Sequence, residues 1–400
     1  MSRFDDAVLV TDPLRRALVL AWLEAALGAV DPERLTSETL RDAEPRRPTV
    51  LIALGKAAPA MARGAVASID VIGGICVSDH LEPVPPMLRA MVGDHPVPGR
   101  ASLEAGAAAI QTVVTAPPDA RLVGLISGGG SAVCESPRPG VTAEYLNTVT
   151  TALLKGGAGI EELNLVRRHL SSIKCGGLAR AAGRAIDTLV LSDVAGADPA
   201  IVASGPTIPA PADPEGARDV MARHHLEIPP IVWEAMTIDA GPLDLPTVTL
   251  LANGFDAAQA VATAQTGPHQ LLSQWLSGDI ASCLDRFLGE AGPGVTIGVG
   301  ETVIEVTGDG TGGRNTHAAL LAADRLAGTE DLFVSFATDG VDGGSRSAGA
   351  IVDGTTTGRG GDPSRSLSSF DSGSYLAGTG DLLICPPTGT NVADLWILWR

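Results

Sequence analysis

Lysine is almost absent from this chain: Lys56, Lys155 and Lys174 are the only three in 400 residues, and the other 25 basic residues are arginine. A chain that uses arginine nearly everywhere keeps a lysine by accident or because a position needs a compact ammonium. Positive charge as a whole is scarce, with a formal net charge of −18 and a sequence pI near 4.7. Such a surface repels nucleic acid and anionic membranes, so neither is an expected partner. A site for phosphates or carboxylates must then rest on local cations or helix N-termini. Five cysteines (Cys76, Cys134, Cys175, Cys283, Cys385) lie far apart with no CxxC pair. That spacing speaks against a zinc site or a disulfide framework and fits a reducing compartment. The first apolar stretch contains Arg15, Arg16 and Glu24, so it is no signal peptide, and no run reaches membrane-spanning length. A cytoplasmic protein is the expectation. Walker A, HExxH and GxSxG strings are missing too, which argues against P-loop kinases, zinc proteases of that type and α/β-hydrolases.

What is present is apolar sequence cut by glycine and proline. Hydrophobic residues make up 45% and mean hydropathy is +0.22, with 48 glycines and 28 prolines placed between apolar runs. Four hundred residues exceed what one core usually serves, so two α/β domains are expected. Asp12-Pro13 reads as a helix start, with the helix running to about Val30. A plan then repeats: apolar strand, polar glycine turn, helix. Val50–Leu54 leads into Gly55-Lys56, Leu122–Ile126 into Ser127-Gly128-Gly129-Gly130-Ser131, and Leu189–Leu191 into Ser192-Asp193. Strands alternating with helices predict a parallel, doubly wound sheet with ligands at the carboxyl ends of its strands. The domain change is placed between about Leu226 and Val248. This gives an N-terminal domain over 8–235 and a smaller α/β domain over 246–400, with its last region at about 296–398.

Five places carry the chemistry. Consecutive glycines at 128–130 let backbone N–H groups approach an anion, with Ser127 and Ser131 flanking them; a tight turn that binds nothing is the bland alternative. Lys56 follows a buried-looking strand and is a candidate functional cation. The segment Asn164–Lys174 concentrates Arg167, Arg168, His169 and Lys174 in an acidic chain, either as an anion-binding segment or as an ordinary basic helix face. His169 alone reads as a hydrogen-bonded structural histidine. Asp193 closes a strand and could hold Mg²⁺, orient a hydroxyl or cap a helix, with Ser204 in a turn nearby. The string from Gly308 to Asn315 formally contains GxGxxG, with Gly312, Gly313 and Asn315 candidates for phosphate and Arg314 for a clamp.

Taken in order, these strings resemble the glycerate 2-kinase family, whose C-terminal part is the MOFRL domain and whose members have also carried the name hydroxypyruvate reductase. The likeness runs from about Leu14 to Leu398. It rests on Gly55–Ala58, Gly93–Pro98, Ile126–Ser131, Asn164–Lys174, Leu191–Val194, Ala203–Thr207, Gly312–Asn315, Thr338–Gly340, Ala348–Ala350 and Thr388–Val392. The resemblance implies two α/β domains, the first Rossmann-like, with an active-site cleft between them. It also implies ATP and Mg²⁺ or another divalent cation, with D-glycerate as acceptor and the C2 hydroxyl as the position phosphorylated. Residues matching Lys56 and Arg314 are the ones it assigns to catalysis; Asp193 joins them on its own reading as a strand-end carboxylate that would bind Mg²⁺ or orient the hydroxyl. Arg167, Arg168 and Ser204 are expected to meet the substrate, in a monomer or homodimer. Departures fall at Cys175, where an arginine-ended Lys-Gly-Gly-Arg string is usual, at Val299 and at Pro386. The competing readings are an NAD(P)H-dependent hydroxypyruvate reductase and a non-catalytic ligand-binding relative.

Overall fold

A computed structural model describes residues 3–5, 9, 11–41, 47–209, 211–238, 244–306 and 308–400. Residue 8, the expected start of the N-terminal domain, lies outside these. The chain divides into two compact units. One holds residues 32–192 and 196–251; the other holds 1–31, 193–195 and 252–400.

The first unit is built on a six-stranded sheet. Its strands are β1 (Thr49–Leu54), β2 (Val71–Ser78), β3 (Leu88–Val92), β4 (Arg121–Ser127), β5 (Asp187–Leu191) and β6 (Val248–Ala252), in the order β3-β2-β1-β4-β5-β6. The pairings from β3 through β5 are all parallel. β1 is buried along its whole length and β4 along all but its first residue. A strand covered on both faces has no polar face to show, which explains the uninterrupted apolar runs. This is the Rossmann strand order, and its direction reverses between β1 and β4. β1 and β4 run side by side in register, with Leu54 opposite Ile126, so both end at the same edge. A second cluster of buried apolar residues joins the helices Ala143–Lys155, Ile160–Leu170, Pro214–Arg223 and Pro230–Met236.

The second unit carries a mixed sheet of seven strands. They are β7 (His269–Leu271), β8 (Leu276–Asp279), β9 (Val295–Val303), β10 (Leu332–Ala337), β11 (Gly349–Asp353), β12 (Leu382–Leu383) and β13 (Asp394–Trp399). They run β12-β11-β10-β13-β9-β7, with β8 also on β9. β7 and β8 pair with β9 in parallel, and the rest are antiparallel. Its core is aromatic: Phe287, Phe333 and Trp396 meet edge-to-face at 5.7–6.0 Å between ring centroids. Such pairs add roughly 1 kcal/mol each beyond the area they bury.

The sequence boundary and the packing divide the chain differently. The first helix, Pro13–Ala29, starts as its capping pattern predicts, with the Asp12 carboxylate accepting from the N–H groups of Leu14 and Arg15. It packs on the helix Gly254–Ala264, and so it counts with the C-terminal unit. The apolar stripe of a helix has to be buried somewhere, and its own sequence does not say where.

Candidate functional site

The ends of β1 and β4 bring Gly55-Lys56 and the turn Ser127–Ser131 together. The Lys56 N–H donates to the Gly128 carbonyl at 2.9 Å, and the Ala57 N–H donates to Ser127 Oγ at 3.0 Å. Gly129 has φ +80°, the left-handed region that favours glycine, and opens the short helix Gly130–Val133. A methyl group there would stand 3.2 Å from Lys56 Cγ and 3.7 Å from the His95 ring. His95 is exposed beside the turn, in a segment that the sequence offered only as a family marker.

Behind this turn sits charge that the surface hides. Arg167 is buried, and its Nη2 donates to the Ser131 carbonyl at 3.0 Å. Lys174, 1% exposed, donates to the same carbonyl at 3.2 Å and forms an ion pair with Glu135, which is fully buried. Glu135 also accepts from Ser171 Oγ at 2.5 Å and from the Ser136 N–H at 2.9 Å. Burial pushes the Lys174 ammonium below its usual range, and the Glu135 charge opposes that. Ser204 Oγ lies 3.3 Å from Ser131 Oγ and 3.4 Å from Asn164 Oδ1. Arg167 and Ser204, expected at the substrate, are thus turned inward to brace the turn, because packing leaves their polar atoms no solvent to face.

Arg168 is less buried than Arg167, and the Nε atoms of both are buried without a hydrogen-bond partner. Cys175 lies close by in the left-handed region at φ +54°. Burial pushes its thiol up, although the charges of Arg168, Arg180, Arg138 and Lys174 pull it down. His169 is a packing histidine: its Nε2 accepts from the Asp213 N–H at 3.0 Å, leaving Nδ1 to face the Met236 carbonyl at 3.3 Å. Burial, aided by Arg138, lowers its pKa from 6.5 to about 4.

In the C-terminal unit the string Gly308–Asn315 opens the helix Arg314–Arg325. An anion was expected at this helix start, and the chain itself provides one. The buried Asp342 carboxylate accepts from the N–H of Asn315 at 2.9 Å and of Thr316 at 2.8 Å. Gly313 has to be glycine here, since a Cβ would meet Asp342 Oδ1 at 2.3 Å. Arg314 is held by Asp394 at 2.5 Å and Glu301 at 2.5 Å. Burial works against its charge, but these two carboxylates outweigh burial and raise its pKa further. Asp193 accepts from Asn391 Nδ2 at 2.9 Å. Among the described residues no three His, Cys, Asp or Glu side chains gather as a metal site. Among the described residues no helix is long and apolar enough to cross a membrane.

Fold and site define an α/β protein of the doubly wound class with a cation-backed glycine turn at its switch point. Family models match it twice: the domain of unknown function DUF4147 over residues 18–237 and the MOFRL family over 294–394. The D-glycerate 2-kinase of Thermotoga maritima is 35% identical over 96% of this chain and 97% of its own. A crystal structure of glycerate kinase from Thermotoga maritima covers 97% of this chain and 100% of its own, with a TM-score of 0.85 at 32% identity. A protein of Agrobacterium vitis that bears the provisional name hydroxypyruvate reductase is 34% identical over 96% of this chain and 94% of its own. This chain belongs to the glycerate 2-kinase family.

Proposed function

We propose that the protein transfers the γ-phosphoryl group of ATP to the C2 hydroxyl of D-glycerate, giving 2-phosphoglycerate and ADP. The observation that carries this is the meeting of Lys56 and the Ser127–Ser131 turn at the ends of β1 and β4, where a doubly wound sheet changes direction. Phosphoryl transfer asks a protein for positioning and for neutralisation of spread negative charge more than for covalent chemistry. Backbone N–H groups of the turn would cradle phosphate, with Ser127 and Ser131 framing it, and the Lys56 ammonium would stabilise the transferring group. Arg168, the less buried of the two adjacent arginines, is the one proposed to meet the substrate carboxylate. For Arg314 the proposal is phosphate binding by exchange, in which the more exposed of its carboxylates, Glu301, is the partner displaced.

A divalent ion, Mg²⁺ by preference, fits the residues present. Mg²⁺ is usually held by one or two carboxylates together with substrate phosphates, so a cluster of protein ligands is not needed. Asp193 is the carboxylate proposed to hold it, steadied by Asn391; the ion would neutralise phosphate charge. A cytoplasmic location goes with this reading, since all five cysteines are free thiols. The GxGxxG string offers the reductase alternative no dinucleotide loop, because the helix start there already carries Asp342.

The test is ADP release from ATP, Mg²⁺ and D-glycerate, with phosphorus NMR of the product. Glycerate-dependent ADP with a C2 phosphate is expected. Absence of ADP together with NAD(P)H oxidation on hydroxypyruvate would refute the kinase.

A further inference from the structure

The buried pair Lys174–Glu135 has no part in the chemistry above, and stability is a poor reason to keep it. Withdrawing two charges from water costs about as much as their attraction returns, and apolar residues of similar volume often serve as well. The pair does make one contact that apolar residues could not. Lys174 Nζ donates to the Ser131 carbonyl at 3.2 Å, and Arg167 Nη2 reaches the same oxygen at 3.0 Å. Glu135 anchors the ammonium while Ser171 Oγ and the Ser136 N–H hold Glu135. The Ser131 oxygen is thus fixed by two cationic donors from the far side of the chain, which tie down the last residue of the glycine turn.

We propose that Lys174 is a positioning residue for ATP: by holding the Ser131 carbonyl, together with Arg167, it fixes the turn Ser127–Ser131 in the form that receives phosphate without itself touching the nucleotide. This rests on reading that turn as the phosphate site. It also moves Arg167 from the glycerate side of the reaction to the ATP side.

The test uses the full chain and the double variant Lys174→Met/Glu135→Gln. One positive and one negative charge leave together, so the net charge behind the turn is unchanged. Glutamine can still accept from Ser171 and Ser136. ATP affinity is measured by calorimetry, with thermal melting and the KM values for ATP and glycerate alongside. The expected result is a fold that melts near the wild type, an ATP Kd and KM raised about tenfold (the effect of one charge-assisted hydrogen bond) and an unchanged glycerate KM. A purely structural role would lower the active fraction and leave ATP affinity alone, and that outcome overturns the proposal. If the double variant does not fold, Arg167→Gln decides, since it removes the other donor to the same oxygen. Raised ATP Kd with unchanged glycerate KM supports the proposal, and unaltered ATP affinity refutes it. A wild-type protein that binds no ATP overturns the phosphate reading of the turn itself, an outcome distinct from variants that bind as well as wild type.

Discussion

The turns Ser127–Ser131 and Gly308–Asn315 share a string of glycines between polar residues, and the fold surrounds them with opposite charge. Behind the first stand Lys174 and Arg167, both on the Ser131 carbonyl. Into the second reaches Asp342, bonded to the N–H groups that open a helix, and its one arginine is claimed by Asp394 and Glu301. A helix start or glycine nest attracts whatever anion is nearest. At the second turn the chain supplies the carboxylate itself; at the first it supplies cations, and under the proposed function phosphate is the anion that completes it.

The comparison can be broken most forcefully at Lys56. Lys56→Ala should lower kcat by roughly 100-fold, on the order of 3 kcal/mol by analogy with loss of one oxyanion donor, with thermal stability nearly unchanged. Turnover assays and melting curves on the same preparation check this, and an active Lys56→Ala protein would remove the first turn from the chemistry. Asp342→Ala is the mirror experiment. It strips two buried N–H groups of their acceptor and should cost about 2 kcal/mol in chemical denaturation.

A pH effect of similar size is expected away from both turns. His169 is neutral when folded, with its pKa lowered to about 4 from 6.5. The unfolded chain therefore takes up the proton first, so stability falls as pH drops through 6.5 and levels off below about 4. The loss is on the order of 2 kcal/mol. Melting temperatures across that window should fall less steeply in His169→Gln. Smallest of all, Glu301→Gln removes a half-exposed partner of Arg314 and should change stability by less than about 1 kcal/mol. If exchange at Arg314 is real, the same variant lowers the KM for ATP, and an unchanged KM would leave Arg314 as a structural ion pair.

Much of the fold was legible because its signals are local. β1 and β4 read as buried strands from unbroken apolar runs, and Asp12-Pro13 marked a helix start through bonds from the N–H groups of Leu14 and Arg15. Lys56 stood out by rarity and by its place after a strand. Glu135 gave no signal, because its meaning comes from Lys174, 39 residues on. Asp342 lies 27 residues from Asn315 and looked like one acid in a loop. His95 was visible only within a family marker.

The sequence by itself therefore determined the alternation of strands and helices, the polar turns that end the strands, and the family. Those follow from hydrophobic period, backbone preference and short-range hydrogen bonds, which act between near neighbours in the chain. Only the tertiary structure decided which helix start the chain's own carboxylate fills, which arginine is bound inward, and which unit takes the first helix. Those depend on which charges and apolar faces meet across long separations, and Coulomb attraction and burial act through space without regard to distance along the chain.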